Sequence, residues 1–252
     1  AEYMGTSSNR GTMAPVKVYA DRMSQPSRAV ILFCKLNGIE FEEILIDLSK
    51  RQHLRKEFSV INPLRKVPAI VDGNFKLFES HAILIYLACS FPGVSDHWYP
   101  SDLTRRAKTQ SILDWHHRNL REGAAGYVLN AALAPALGLP LNKAAADRAE
   151  KTLIASLTTL ESIWLAGNVK FLNGGKHPSI ADLSLVCELM QLEVLDKGDK
   201  ERIMGPFVKV KEWMNSTRIA TNPHFDEVHI VLHRCQKRLQ QQRNEASLRS
   251  KM

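Results

Sequence analysis

The first part of the chain alternates between strand-like and helix-like runs, whereas the rest contains only helix-like runs. Short runs at 16–20, 41–46, 67–71 and 74–78 have the length and the apolar content of β-strands. No run after residue 102 alternates in this way. Any β-sheet is therefore confined to the part of the chain before that residue, and the remainder is predicted to be all-helical.

Helical runs separate the strand-like runs in a fixed order. Residues 26–36 begin with a proline and end at Asn37-Gly38, which are start and stop signals of a helix. Residues 49–58 predict a short charged helix, and an apolar helix begins at Ser80. Asp72-Gly73 favours a tight hairpin turn between the last two strands. The order βαβαββα predicts a small mixed sheet covered by helices.

The chain divides at residues 92–102, which have the proline, glycine and polar content of a linker. They separate an α/β domain at 13–91 from a helical domain at 103–240. Predicted helices of the second domain run over 103–133, 143–165, 180–192, 207–217 and 223–239, and Ser179 with Asp182 resembles a capping box. Residues 1–12 are polar and aperiodic, and we expect them to be an expression scar. Residues 241–252 form a basic tail.

Charge and hydropathy argue against a nucleic acid or a membrane as partner, although a basic tail could touch nucleic acid or an acidic surface. The 252 residues carry a formal net charge of +8, and the segment from Arg234 to Met252 alone has six lysines and arginines against Glu245. No aromatic stacking platform accompanies this basic tail, so nucleic acid is not expected as a partner. No apolar run reaches the roughly 18 residues of a membrane span, and no secretory leader opens the chain. We therefore expect a soluble intracellular protein.

The cysteines and histidines give no metal-site pattern. The four cysteines are far apart and form no C-x-x-C pair: Cys34, Cys89, Cys187 and Cys235. His229 and His233 share a helix face but lack a third ligand. His116 and His117 are neighbours and are expected to point apart. The sequence predicts no disulfide and no metal site.

Ser24 is the sharpest candidate for chemistry, because it lies between the first strand and the first helix. A hydroxyl at a helix N-terminus adjoins free backbone N–H groups and the positive end of the helix dipole, which favour an anion. A thiolate is such an anion. A cysteine thiol has a pKa of about 8.5, and each unit by which it is lowered corresponds to about 1.4 kcal/mol. Ser24 could equally be only a helix cap, and the local sequence leaves both interpretations open.

Two further segments could bind an extended, charged ligand. Pro68 opens the third strand after Asn62-Pro63-Leu64-Arg65-Lys66-Val67, and its peptide bond could be cis or trans. A cis bond would leave the Val67 backbone free to pair with a peptide-like ligand. Glu79 could accept a hydrogen bond from an ammonium group, while Ser80 at a helix start could bind a carboxylate or merely cap the helix.

Together these segments resemble the soluble glutathione transferases. Residues 24–29 (SQPSRA), 47–53 (DLSKRQH) and 62–68 (NPLRKVP) are similar to the theta class, especially to its plant members. The resemblance extends from about Val16 into the tail. It implies a thioredoxin-like N-terminal domain with a cis-proline at Pro68 and an all-helical domain that supplies the electrophile pocket. It also implies a homodimer, and glutathione as a cosubstrate with no permanently bound cofactor.

The resemblance also implies how glutathione is held. Ser24 would donate its hydroxyl to the glutathione sulfur, with Gln25 beside it. His53 and Lys66 would hold the glycine carboxylate end of the tripeptide, and Leu54 would contribute packing or backbone contacts.

The same resemblance implies roles for the middle and the other end of the tripeptide. The Val67 backbone would pair with the cysteinyl unit, while Glu79 and Ser80 would bind the γ-glutamyl head. These roles agree with the charges, because glutathione is an extended anion and the two ends of the site offer basic groups and a carboxylate with a hydroxyl.

The implied reaction is attack of the glutathione thiolate on a hydrophobic electrophile or on an organic hydroperoxide. The alternative is a non-catalytic ligand-binding protein with the same fold. A thiol transferase would need a cysteine at the position of Ser24. The residues Ser250-Lys251-Met252 resemble the peroxisomal signal S-K-L, so we expect a peroxisomal protein, with the cytosol and nucleus also possible.

Overall fold

A computed structural model describes residues 14–167 and 169–249 of the protein, with backbone only at 243 and 246–249. The segment 1–12 and the tripeptide Ser250-Lys251-Met252 lie outside the described residues.

The N-terminal part forms one four-stranded mixed sheet with three helices. Its strands are β1 Val16–Ala20, β2 Phe41–Leu45, β3 Ala69–Asp72 and β4 Phe75–Phe78, and its helices are α1 Gln25–Leu36, α2 Lys56–Ser59 and α3 Ser80–Ser90. The strand order is β2-β1-β3-β4. β1 runs parallel to β2 and antiparallel to β3, which forms a hairpin with β4. This is the predicted βαβαββα order of a thioredoxin-like domain.

The prediction of one continuous helix over 49–58 was wrong. A 3-10 turn at Gln52–Leu54 precedes α2, and Arg55 between them is extended, with φ −70° and ψ 152°. The Asp47 carboxylate accepts hydrogen bonds from the Ser49 hydroxyl at 2.6 Å and from the Lys50 N–H at 3.1 Å. Such local side-chain bonds compete with the helical hydrogen bonds of the backbone.

The rest of the described chain is helical, as predicted. The helices are α4 Leu103–Arg118, α5 Leu120–Val128, α6 Lys143–Thr159, α7 Ile180–Leu189, α8 Lys197–Met204, α9 Val208–Thr221 and α10 His224–Arg249. The capping box at the start of α7 is present: the Ser179 side chain accepts from the backbone at the third helical position, and the Asp182 carboxylate accepts from the Ser179 N–H.

The helical part departs from the prediction in a break, a missed helix and a helix end. The single helix expected over 103–133 is broken at Asn119, which has φ −120° and ψ −88° and whose amide donates to the Trp115 carbonyl. Helix α8 was missed because it is short and mostly charged, although Asp196 caps it by accepting from the Asp199 N–H at 2.9 Å. Helix α10 continues ten residues beyond its predicted end at 239, to Arg249.

Helix α1 joins the sheet to the helical part of the molecule. It packs against α3 of its own domain and against α7 and α10 of the helical domain. Its residues 30–34 are completely buried in a core that continues from β1 to α10. The start of α1, where Ser24 lies, is therefore fixed by contacts from both domains. Among the described residues, no helix is both long and apolar enough to cross a bilayer.

Candidate functional site

Ser24 occupies the N-terminus of α1 without acting as a side-chain cap. It is the residue before the helix, with extended backbone angles, and its hydroxyl makes no capping hydrogen bond. The residue is 8% exposed and lies in the wall of a large cavity. The helix end thus keeps its anion-binding character, while the hydroxyl is not committed to the cap.

The Asp21 carboxylate helps to hold the loop before Ser24. Asp21 accepts from the Met23 N–H at 2.8 Å through one oxygen and from the Leu48 N–H at 2.9 Å through the other, and its carbonyl accepts from the Ser24 N–H. These bonds fix the position of the loop relative to the segment that follows β2. A donor held in this way loses little entropy when a ligand binds.

The cavity has a volume of about 1110 Å³ and lies between the two domains. It brings together six of the residues expected from the sequence: Ser24, Gln25, His53, Leu54, Lys66 and Val67. Burial, and then the positive charge of Arg51, lower the pKa of His53 below its ordinary value. A neutral His53 at pH 7 would hold a carboxylate by a hydrogen bond, leaving Lys66 as the charged group.

The Val67–Pro68 peptide bond is cis, as the resemblance implied. Asn62 fixes the preceding loop, because its buried side chain donates to the Lys66 carbonyl at 2.7 Å and accepts from the Leu64 N–H at 2.9 Å. This clamp places Lys66 and Val67 at the cavity wall. No role was predicted for Asn62 from the sequence.

Glu79 and Ser80 are not among the residues that line this cavity. Glu79 is exposed and precedes α3, with a left-handed φ of 70°. Sparsely populated backbone conformations of this kind cost about 1–3 kcal/mol for a residue with a Cβ, and such strain concentrates at functional sites. The predicted binding of the γ-glutamyl head at Glu79 and Ser80 stays a prediction.

The helical domain supplies a cavity wall that is mostly apolar but includes three arginines. Residues of α5 and of the turns after it contribute aliphatic side chains, including Val128, Leu129 and Leu133. Arg121, Arg234 and Arg238 also line the cavity, and sequence reasoning missed all three. The spacing of Arg234 and Arg238, four residues apart on one helix, was a signal that they share a face.

Three histidines come together outside this cavity, which corrects the expectation that His116 and His117 point apart. Both rings lie against His81 of α3, with ring centroids 5.2 Å and 4.3 Å away. Neighbouring residues differ by about 100° around a helix, so His81 can sit between two adjacent side chains at the end of α4. Burial, together with His116, His117 and Arg121, lowers the pKa of His81 to about 2.

Comparison with known proteins agrees with this architecture. Family models match residues 14–89 as "Glutathione S-transferase, N-terminal domain" and residues 143–216 as "Glutathione S-transferase, C-terminal domain". The chain belongs to the glutathione S-transferase family, and glutathione is its cosubstrate.

Its relatives identify it as a theta-class member of plant type. It is 64% identical over 236 residues to Glutathione S-transferase T1 of Arabidopsis thaliana, covering 94% of this chain and 96% of that one. It is 66% identical over 232 residues to Glutathione S-transferase T2 of the same plant, but spans 39% of that protein's length against 92% of its own. A structure of human glutathione transferase theta-2 in complex with glutathione matches with a TM-score of 0.82 and 34% identity, covering 90% of this chain and 91% of that one.

Proposed function

We propose that this theta-class transferase binds glutathione with its sulfur at Ser24, stabilises the thiolate there, and transfers it to apolar electrophiles. The observation that carries the proposal is the uncommitted hydroxyl of Ser24 at the start of α1, in the wall of the cavity. One hydroxyl donor and the helix N-terminus favour the anionic form of the sulfur. The same sulfur is then the nucleophile, and Ser24 forms no covalent bond.

The polar groups of the cavity support this orientation of glutathione. Lys66 and His53 belong to the N-terminal domain and line the cavity. The glycine carboxylate of glutathione would bind to them. The aliphatic wall from α5 faces the same cavity and suits a hydrophobic co-substrate. A cavity of about 1110 Å³ exceeds the usual range of roughly 300–1,000 Å³ for one small ligand, which is consistent with two substrates side by side.

Reduction of organic hydroperoxides is the second reaction that we propose for this site. The thiolate attacks the terminal peroxide oxygen, the O–O bond breaks, and the departing alkoxide takes a proton to give the alcohol. The glutathione sulfenic acid that forms reacts with a second glutathione to give the disulfide and water. The apolar wall supports this proposal, because an alkyl hydroperoxide presents little more than hydrocarbon and two oxygens.

We also infer that the protein assembles as a homodimer, on the basis of family membership. Light scattering of the purified chain tests this inference. A mass of one chain, 28.4 kDa, would contradict it.

The test of the catalytic proposal is a comparison of wild type with Ser24→Ala on a benzylic halide and on cumene hydroperoxide. We expect kcat/KM for both to fall by about tenfold or more, which corresponds to a change of at least one pKa unit at the sulfur. Ser59→Ala is a matched control, because its hydroxyl donates to the Lys56 carbonyl and it is not among the residues that line the cavity. Inactive wild type that still binds glutathione would favour the ligand-binding alternative.

A further inference from the structure

We propose that His81, His116 and His117 form a binding site for one divalent late transition-metal ion. Zn²⁺ is the ion with which the site is tested. His81 lies at the start of α3, whereas His116 and His117 lie in the last turn of α4. One nitrogen of each ring can be chosen so that all three lie within 4.8 Å of one another. The site would join the thioredoxin-like domain to the helical domain.

The geometry of the best-defined pair already suits a shared ion. His116 Nδ1 lies 3.1 Å from His81 Nε2. Two nitrogens bound tetrahedrally to zinc at about 2.0–2.1 Å are about 3.3 Å apart. The longest separation must shorten by at most about 1.5 Å, and rotation of the exposed His117 side chain can provide that movement.

A buried carboxylate stands behind one of the ligands. Glu188 of α7 is 1% exposed, and its Oε2 lies 3.4 Å from His116 Nε2. If Nδ1 of His116 binds the ion, its Nε2–H faces this carboxylate. Metal-bound histidines usually orient their second nitrogen on such a partner. Arg121 donates to the same Glu188 oxygen at 2.9 Å and balances its charge.

A hydrogen bond between two imidazoles is the simpler explanation, but it accounts for only two of the three rings. One nitrogen would donate across the 3.1 Å gap between His81 and His116. The ring of His117 would then have no part, although its centroid lies only 4.3 Å from that of His81. In addition, His116 Nε2 and Glu188 Oε1 are buried without a hydrogen-bond partner among the described residues. Binding of an ion through His116 Nδ1 keeps the proton on Nε2, where it faces the Glu188 carboxylate.

The chemistry of the ligands indicates the class of ion. Three imidazole nitrogens suit zinc, copper and nickel, and disfavour calcium and magnesium, which prefer oxygen. With three protein ligands the fourth position would be taken by water. Because His117 is exposed, an ion can enter from solvent. The expected role is a clamp between α3 and α4.

The experiment is a titration of the full-length, chelator-treated protein with ZnCl₂ in the absence of glutathione, followed by calorimetry. We expect saturable binding of one ion per chain and a higher thermal midpoint in its presence. His117→Ala should weaken the affinity by at least about tenfold and lower the thermal shift accordingly. Because this side chain is exposed, the variant is expected to fold, and circular dichroism checks that it does.

Two control variants each remove another potential zinc ligand. His233→Ala breaks the pair formed with His229 on α10, and Cys89→Ser removes an exposed thiol on α3. Both should bind zinc as wild type does. Co²⁺ in place of zinc should give the visible bands of a nitrogen-ligated tetrahedral ion without a thiolate charge-transfer band. No saturable binding by wild type, or undiminished binding by His117→Ala, would overturn the proposal.

Discussion

The guanidinium of Arg28 donates a hydrogen bond to the side-chain oxygen of Gln191, 2.8 Å away, across the junction between the two domains. The same guanidinium donates to the carbonyls of Arg22 and Met23, directly before Ser24, and to that of Cys187 in α7. Arg28 is completely buried, and burial lowers its pKa to about 10. It therefore stays charged at neutral pH and links the loop before Ser24 to the helical domain.

Replacement of Arg28 by lysine should show the strength of this link. The planar guanidinium of Arg28 donates to four acceptors, and a lysine ammonium cannot reach all of them. Some of these buried acceptors would therefore lose their hydrogen bonds. We expect Arg28→Lys to lower the free energy of unfolding by roughly 2–4 kcal/mol, and to lower kcat because the Ser24 loop loses its support. Urea denaturation and steady-state kinetics measure the two effects. Arg22→Lys, on the same loop but partly exposed in its ion pair with Glu43, should cost less than about 1 kcal/mol.

Asp182 organises the centre of the helical domain. This buried carboxylate accepts from the N–H groups of Leu172 and Ser179, from the Ser179 hydroxyl and from the Trp213 indole. Asp182→Ala leaves these buried donors unsatisfied, and we expect a loss of roughly 3–5 kcal/mol of stability in urea denaturation. Asp102→Ala removes an exposed N-cap from α4 and should cost only about 1 kcal/mol. Equal losses in the two variants would contradict this account.

Gly123 allows α5 and α6 to approach closely. A Cβ at this position would lie 2.5 Å from the Leu153 nitrogen and 2.6 Å from its Cα, so the backbone of α6 would have to move. We expect Gly123→Ala to cost roughly 2 kcal/mol or more, and to raise the KM for the electrophile because α5 lines the cavity. In Gly126→Ala the new Cβ meets only the Ala149 Cβ, at 3.1 Å, and the change should be much smaller. Thermal unfolding of the two variants makes the comparison.

His229 should make the protein sensitive to mild acid. Its Nδ1–H donates to the Phe225 carbonyl at 2.7 Å, and burial, followed by the charge of Arg28, holds its pKa well below the ordinary 6.5. Below pH 6.5 the unfolded chain takes up a proton at this residue while the folded chain does not, so stability falls as pH falls through that window.

His229→Leu removes this contribution. We expect the decline in the free energy of unfolding between pH 7 and pH 5 to be shallower in the variant than in wild type, as measured by urea denaturation at each pH. Above pH 7 the histidine is neutral in both states, so the difference between the two proteins should be constant there. Parallel curves over the whole range would show that His229 does not cause the slope.

Local signals made much of this structure predictable. Ser24 lies between a strand and a helix with Pro26 in its first turn, and Asp72-Gly73 joins two strands, so each feature is encoded within a few residues. The break at Asn119 has no glycine or proline to announce it. Helix α8 was missed because its charged sequence lacks an apolar stripe, although Asp196 gave a cap signal.

Contacts between distant residues could not be predicted. Arg28 and Gln191 are separated by 163 residues, and His81 and His116 by 35. Nothing in the local sequence shows that α1 faces α7 or that α3 meets the end of α4. The arginines of α10 line the cavity for the same reason, since only the packing of the two domains brings Arg234 to the same cavity as Ser24.

The most direct test of the role of Ser24 is the pKa of the thiol in bound glutathione. Ultraviolet absorption of the thiolate, titrated against pH at saturating enzyme, gives this value for wild type and for Ser24→Ala. We expect a pKa below the reference of about 8.5 in wild type and a rise of about one unit or more in the variant, with little change in glutathione affinity. The same thiol pKa in both proteins would contradict the proposal that the Ser24 hydroxyl stabilises the thiolate.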